Sequence, residues 1–495
     1  MYRRKKNQLE FEDFVLPFGG RLEGDNRWIK LAGLIPWEEF EETYSKNFDR
    51  RGMGAPAKPV RLALGALIIQ GRLGCTDREA VEQIRENPYL QFFLGYSAYR
   101  YEAPFDASMY VHFRKRFDLE TLQQINERII AAQSKQTDQC ADQSDDNDEG
   151  TTGGSNSGQL IIDATCAPAD MTHPTDLKLV NKAREKTEVI IDRLHACDRN
   201  RARKPRTYRQ RARRDYLKAA KMRRLSAGQR RKAIKRQLGY LDRNLQIINK
   251  LGEQVGLGIL KNSLYGDLLV IQTIAQQQRA LYFEQKSRVP DRIISVGQPH
   301  IRPMVRSKAR ARSEFGAKIS LSLEKAMCYL HRFSFDAYNE CEDLIGQVEA
   351  YKKRHGVYPE SVHADNTYRN SGNRRFCREH RIRLSGARLR ERFSWDLSDN
   401  NKLAHQDLID RVVIEGKIGE AKRRYSLGLI MSKRPATTTT SIAMTIITMN
   451  LQNLLRQASL SLNLFALRLL KLLRIWIRSA THPASLPALL PTFQD

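Results

Sequence analysis

Residues 159–170, QLIIDATCAPAD, decide the architecture. Leu160, Ile161 and Ile162 followed by a polar turn read as a short buried strand, with Asp163 at its carboxyl end. Upstream, residues 135–158 (KQTDQCADQSDDNDEGTTGGSNSG) hold no aromatic and almost no aliphatic side chain, the composition of a flexible acidic and Gly/Ser linker. Downstream, residues 180–258 carry helical patterning. Strands are expected next at 292–296 (RIISV), 303–307 (PMVRS) and 314–323 (EFGAKISLSL). A helix follows at 339–354, a short strand at 360–365 (ESVHAD) ending on Asp365, another strand at 382–386 (IRLSG), and a helix from Leu408 to Tyr425. Strand with Asp, hairpin strands, helix, strand with Asp, strand, helix with Glu: this order specifies a mixed α/β sheet, interrupted after its first strand by a long helical insertion.

The chain has 495 residues, which suggests two or three domains, and its 41% hydrophobic content allows a sizeable core. A formal net charge of +28 self-repels unless a polyanion lies nearby, and nucleic acid is the first candidate, anionic membrane the second. The charge is concentrated in residues 199–236, where 18 Lys or Arg face one acid, Asp215. Apolar residues interrupt this run, so a long helical hairpin with one cationic face fits better than a disordered arm; such a face can track phosphates without reading sequence. Seven cysteines without a Cys-x-x-Cys pair indicate neither a disulfide framework nor structural zinc, and suit reduced thiols in the cytosol. The basic N-terminus lacks the apolar stretch of a secretory signal. Near the C-terminus, Pro435 to Leu455 is too polar for a membrane span and reads as a buried helix. Residues 459–479 (SLSLNLFALRLLKLLRIWIRS) read as a separate amphipathic helix.

Residues 1–138 are expected to be helical. Val60, Leu62, Leu64, Leu67, Ile68 and Leu73 set a helical face, Gly74 ends it, and Thr76 with Glu79 starts the next helix. Two helices with a Gly turn fit a helix-turn-helix, which docks on DNA, or an ordinary bundle. A further helix is expected at 118–134.

Hard divalent cations need converging carboxylates, and ends of adjacent strands together with one helix face can supply them. Asp163 and Asp365 end expected strands; Glu415 shares a helix face with Arg411, Ile418 and Lys422. Singly, each is an ordinary capping or solvated acid. Asp170 and Asp176 follow prolines and lie off the sheet, and Glu420 lies about 140° around the helix from Glu415. His173 and His363 neighbour the first two acids; Asn366 and Arg369 flank the second and are positioned to touch DNA. Trp395 in a polar loop suits packing better than base stacking.

At these residues the sequence resembles the DDE-type transposases of bacterial insertion sequences, in the group related to insertion sequence five. The resemblance is carried by LIIDATCAPADMTHPTDLKLVNKARE (160–185), PMVRSKARARSEFGAKISLSL (303–323), VHADNTYRN (362–370) and RVVIEGKIGEAKRRYSLG (411–428), with Arg411, Glu415 and Lys422 at the family's spacing. Leu408 stands where the group has a Tyr. The resemblance implies a ribonuclease-H-like mixed-sheet core at 159–435 with a basic helical insertion at about 180–280. It implies an all-α N-terminal DNA-binding domain at 1–138, a linker at 139–158, and C-terminal helices and tail at 436–495. It implies that Asp163, Asp365 and Glu415 are catalytic and hold two Mg²⁺ ions, with Mn²⁺ as substitute, Asp163 and Asp365 sharing one of them. Arg411 and Lys422 hold DNA phosphate. Hydrolysis at the element's end leaves a 3′ hydroxyl, which then attacks target DNA, without ATP or a covalent protein intermediate. The partners implied are double-stranded DNA, both terminal inverted repeats and target, and a second copy of the chain as a homodimer. No membrane partner is implied, and the location is the bacterial cytoplasm at the nucleoid. A second reading is a catalytically inactive DNA-binding protein derived from a transposase.

Overall fold

The structure, a computed structural model, describes residues 10–46, 48, 56–141, 155–197, 203–286, 288–308, 311–385 and 397–481. Most of the expected linker (142–154), Trp395 and the tail from 482 lie outside the described residues. The chain divides into two compact units: Met1–Met109 with Gln124–Asp148 and Ile447–Asp495, and Tyr110–Gln123 with Glu149–Ile446.

The first unit is all-helical among its described residues. It contains α1 (Arg27–Gly33), α2 (Trp37–Ser45), α3 (Val60–Leu73), α4 (Asp77–Glu86) and α5 (Pro88–Phe93). The chain then runs through α6 (Met109–Arg116) and α7 (Leu119–Ala141), which cross the unit boundary. Helix α3 is buried on nearly every side through Leu62, Leu64, Leu67, Ile68 and Ile69. Trp28 and Trp37 meet Phe93 edge-to-face at 5.3 and 5.4 Å. Gly74 stops α3 at φ 64°, a left-handed conformation that suits glycine, and Thr76 Oγ1 accepts the Glu79 N–H at 3.3 Å to start α4.

The second unit is built on a six-stranded mixed sheet: β1 (Gln159–Pro168), β2 (Arg302–Lys308), β3 (Ala311–Glu324), β4 (Met327–Ser334), β5 (Ser361–His363) and β6 (Arg383–Leu384). The order is β2-β3-β1-β5-β6, with β4 also pairing β3. The pairs β1–β3, β2–β3 and β3–β4 are antiparallel; β1–β5 and β5–β6 are parallel. Gly316 permits the close approach of β3 to β1, because a Cβ there would stand 2.0 Å from the Ala167 carbonyl oxygen.

Three expectations are corrected. Asp163 does not end its strand: β1 continues to Pro168, because small residues Ala164, Thr165, Cys166 and Ala167 pair along the long β3. The RIISV segment is no strand; Ile293 and Val296 instead pack on a helical cluster. The described part of the basic run 199–236 does form a helical hairpin, α9 (Arg209–Ala220) with the start of α10 (Ala227–Val255), joined where Tyr240 Oη donates to Asp215 at 2.9 Å; it sits in an insertion that also holds α8 (Asp176–Ala196) and α11 (Asn262–Phe283), and Ser226 supplies a full capping box to α10. The two expected C-terminal helices are one, α15 (Pro435–Thr481), since no Gly or Pro interrupts it after its first residue.

The buried seam of the insertion joins α8, α10 and α11 through Val180, Ile190, Ile191, Leu241, Ile248, Ile271 and Ile274. On the sheet, α12 (Asp343–His355) and α13 (Ser371–Glu379) cover one face, and α14 (Leu397–Arg424) meets β1 and β5 on the other. No helix among the described residues is long and apolar enough to cross a membrane.

Candidate active site

Successive residues of a strand point to opposite faces. Leu160, Ile162, Val362 and Ala364 therefore go to the apolar cluster with Leu344 and Val348 of α12. Gln159, Asp163, Thr165 and His363 go to the face that meets α14. The parallel pairing aligns Gln159 with Ser361 and Ile161 with His363. Continued by two residues, that register sets Asp163 of β1 beside Asp365, just past the last residue of β5. Each aspartate stands two residues beyond the last paired positions, Ile161 and His363.

Helix α14 brings the third carboxylate. Ile414, Ile418 and Ala421 are buried and anchor the helix. The Arg411 guanidinium lies 3.3 Å from Asp365 Oδ1 and 3.1 Å from Glu415 Oε1. Lys422 Nζ, two turns further along, donates to Thr165 Oγ1 of β1 at 2.8 Å. Asp365 and Glu415 are about half exposed, while Asp163 is more enclosed.

Burial pushes the Asp163 carboxyl up to about 6; the neighbouring negative charges of Glu415 and Glu340 add to this, and the Ala164 N–H, donating to Oδ1 at 2.8 Å, and the Arg411 charge oppose it. Arg411 thus pairs with two carboxylates, and its charge reaches the third. That is an excess of hard oxygen donors and negative charge, the environment a divalent cation relieves.

The other expected residues are placed as follows. Arg369 turns inward and donates to the Ser385 carbonyl oxygen at 2.7 Å. Asn366 takes its backbone N–H to Asp365 Oδ1 at 2.7 Å and starts a short turn. Glu420 pairs with Lys417 at 3.4 Å, on another side of α14. Asp176 begins α8 and pairs with Arg292, and His173 packs edge-on against Phe315.

Sequence reasoning missed Glu340, which acts on Asp163 from a short turn before α12, and the acids Asp407 and Asp410 of α14. Asp407 lies one turn before Arg411, and Asp410 three residues after Asp407, so the helical spacing of Asp407 and Asp410 is the signal that could have found them. They join His363 in a buried cluster whose ligand atoms lie within 4.8 Å of one another. Burial pulls the His363 imidazole below its ordinary value against the opposing charge of Asp407.

Comparison with known proteins places two stretches of the chain in known domain families. Residues 17–116 match a transposase domain (DUF772), and residues 362–452 match the Transposase DDE domain, the latter spanning Asp365 and the whole of the α14 segment from Arg411 to Lys422. An uncharacterized protein of Rhizobium meliloti, ORF8 in the nfe locus, is 34% identical over 155 residues, which is 31% of this chain and 68% of that one. No solved structure matches the chain significantly. The DDE-domain match and a His/Asp/Asp cluster able to take a metal together support metal-using catalysis. The chain thus belongs to one family with the Rhizobium meliloti protein, and it carries a transposase DDE domain at residues 362–452.

Proposed function

We propose that the protein cleaves DNA at the ends of an insertion sequence of the insertion-sequence-five-related group and joins those ends to target DNA. Asp163, Asp365 and Glu415 would hold two Mg²⁺ ions, with Mn²⁺ as substitute. The observation that carries this reading is the meeting of Arg411 with Asp365 and Glu415 beside the raised carboxyl of Asp163. The donor set is all oxygen, which fits Mg²⁺. Such ions activate an attacking oxygen and stabilise a leaving one at phosphorus.

The chain's own residues supply position and charge. Continuation of the β1–β5 register would bring the aspartates side by side, with Glu415 of α14 as the third carboxylate. Arg411 and Lys422 would set two cations around one DNA-phosphate position and donate charge-assisted hydrogen bonds to it. Asn366 and Arg369 border it; Arg369, tied to Ser385, would act mainly by shaping the loop after Asp365. The mixed strand order supports a ribonuclease-H-like core within 159–435. Residues 1–138 would bind DNA with α4 as the docking helix, 139–158 would link, and 436–495 would supply C-terminal helix and tail; a homodimer would bring two element ends together in the bacterial cytoplasm. The cationic insertion would run along the duplex. Its open groove beside Pro205 is lined by Arg206, Gly239, Arg243 and Lys250.

The test is Mg²⁺-dependent nicking of DNA that carries the repeats flanking the coding region. Asp163→Asn, Asp365→Asn and Glu415→Gln should each abolish nicking while binding persists. Binding without any nicking by the native chain would favour the inactive DNA-binding reading; undiminished nicking by all three variants would overturn the site.

A further inference from the structure

One turn before Arg411, the polar face of the sheet holds a second set of ligand atoms. His363 is fully buried on β5, and its Nδ1 has no hydrogen-bond partner among the described residues. That nitrogen faces Asp407 Oδ1 at 3.5 Å, too long for a good hydrogen bond. Its other nitrogen, Nε2, lies 3.0 Å from Ser361 Oγ and 2.8 Å from the Gln159 amide; ligation through Nδ1 takes the tautomer in which Nε2 keeps its proton and donates it to Ser361 Oγ, with the Gln159 amide directed to Asp410. Both oxygens of Asp407 take their contact from a single Arg383 nitrogen, 2.7 Å from each, which leaves lone pairs free on the side of the imidazole. Asp410, on the more open side, is held by Gln159 at 2.7 Å and by Gln406 at 2.8 Å.

An unsatisfied buried imidazole nitrogen is costly, and native structures usually explain one by water or an ion. The ligand type narrows the choice. Mg²⁺ favours an oxygen shell with several waters, whereas imidazole with carboxylate suits Zn²⁺ and its neighbours. Ligands around a tetrahedral zinc at about 2.0–2.1 Å stand about 3.3 Å apart. His363 and Asp407 are already near that separation, and Asp410 can close from the exposed edge.

We infer that His363, Asp407 and Asp410 bind one zinc-class ion, separate from the trio Asp163, Asp365 and Glu415, and that this ion fastens α14 to β5. The ligation does not depend on the DNA-cleaving reading. Only its consequence does: Asp407 lies two turns before Glu415 on one helix, so fastening Asp407 sets the height of Glu415 above the aspartates.

The protein is purified without chelator, its metal content measured, and the EDTA-stripped chain titrated with Zn²⁺, with Co²⁺ absorption reporting the coordination. One Zn²⁺ per chain is expected, retained in Asp163→Asn/Glu415→Gln. Asp410→Asn, a partly exposed position that leaves the fold intact, should weaken Zn²⁺ by on the order of tenfold or more, as should His363→Asn. Absence of Zn²⁺ uptake by the folded chain overturns the inference. So does uptake that survives Asp410→Asn, or uptake that disappears with Asp163→Asn/Glu415→Gln. Loss of DNA cleavage with Zn²⁺ uptake intact would refute the proposed function and leave this site standing.

Discussion

The two faces of the central sheet are made from the same two strands and differ in nearly every respect. Toward α12 and α13, Leu160, Ile162, Val362 and Ala364 form a closed apolar cluster with Leu344, Val348 and Tyr351. Toward α14, Gln159, Asp163, Thr165 and His363 meet Asp410, Arg411, Lys422 and Asp407. The first face secures the fold through area removed from water. The second collects charge at the end of the parallel pairing and is costly in the absence of cations. The difference shows how one period-two pattern can separate stability from chemistry without separate domains.

The largest stability effect should come from the apolar face. Leu344→Ala, at a fully buried position, should cost about 2–5 kcal/mol in denaturant melts. Asp365→Asn and Glu415→Gln, both about half exposed, should stay within about 0.5 kcal/mol of the native chain. Equal losses at both places would erase the distinction between the faces.

Gly316→Ala is next. Its Cβ would meet backbone atoms of Ala167 and Pro168, so β1 and β3 must part locally, at about 1–3 kcal/mol. A melt identical to the native one would show that the β1–β3 contact is looser than described.

The polar face should respond to pH with the opposite sign. Asp163 is raised to about 6 from an ordinary 3.8, so the folded chain holds that proton more tightly than the unfolded chain. Its contribution favours the folded state fully below about pH 4 and is lost as pH rises through about 6. In EDTA, Asp163→Asn should therefore be more stable than the native chain at pH 8, by about 1–2 kcal/mol after allowance for solvent screening, and equal to it near pH 4. A native chain more stable than the variant at pH 8 would mean that the carboxylate is already compensated.

The smallest effect is expected in the insertion. Gly239 lies on an open groove, and a Cβ there meets nothing within 4 Å. Gly239→Leu should leave the melt nearly unchanged and weaken DNA binding by a few-fold, most visibly at low salt. Unchanged binding would remove this groove from the DNA path.

Much of this was legible in the sequence. Asp163 and Asp365 follow apolar strand signals, and Arg411, Glu415 and Lys422 recur on one side of a helix. Gly74 and Thr76 mark the turn between α3 and α4 by their own chemistry. Other features left no local trace. The β3–β4 hairpin turns at Lys325 and Ala326 with φ of 46° and 71°, a left-handed turn without the Gly or Asn that normally announces it, so β4 went unseen. The extension of β1 past Asp163 depends on the length of its partner β3. The apolar RIISV run satisfies a strand pattern and a buried loop equally, and only the surface of α8, α10 and α11 decides between them. Glu340 reaches Asp163 through tertiary folding alone.

The most direct test compares native protein, Glu415→Gln and Glu420→Gln, each confirmed folded, for Mg²⁺-dependent nicking of DNA bearing the flanking repeats. Glu415→Gln should lose on the order of a hundred- to a thousandfold in rate, while Glu420→Gln, on the other side of the same helix, should nick as the native chain does. Native-level nicking by Glu415→Gln would contradict the Glu415 assignment.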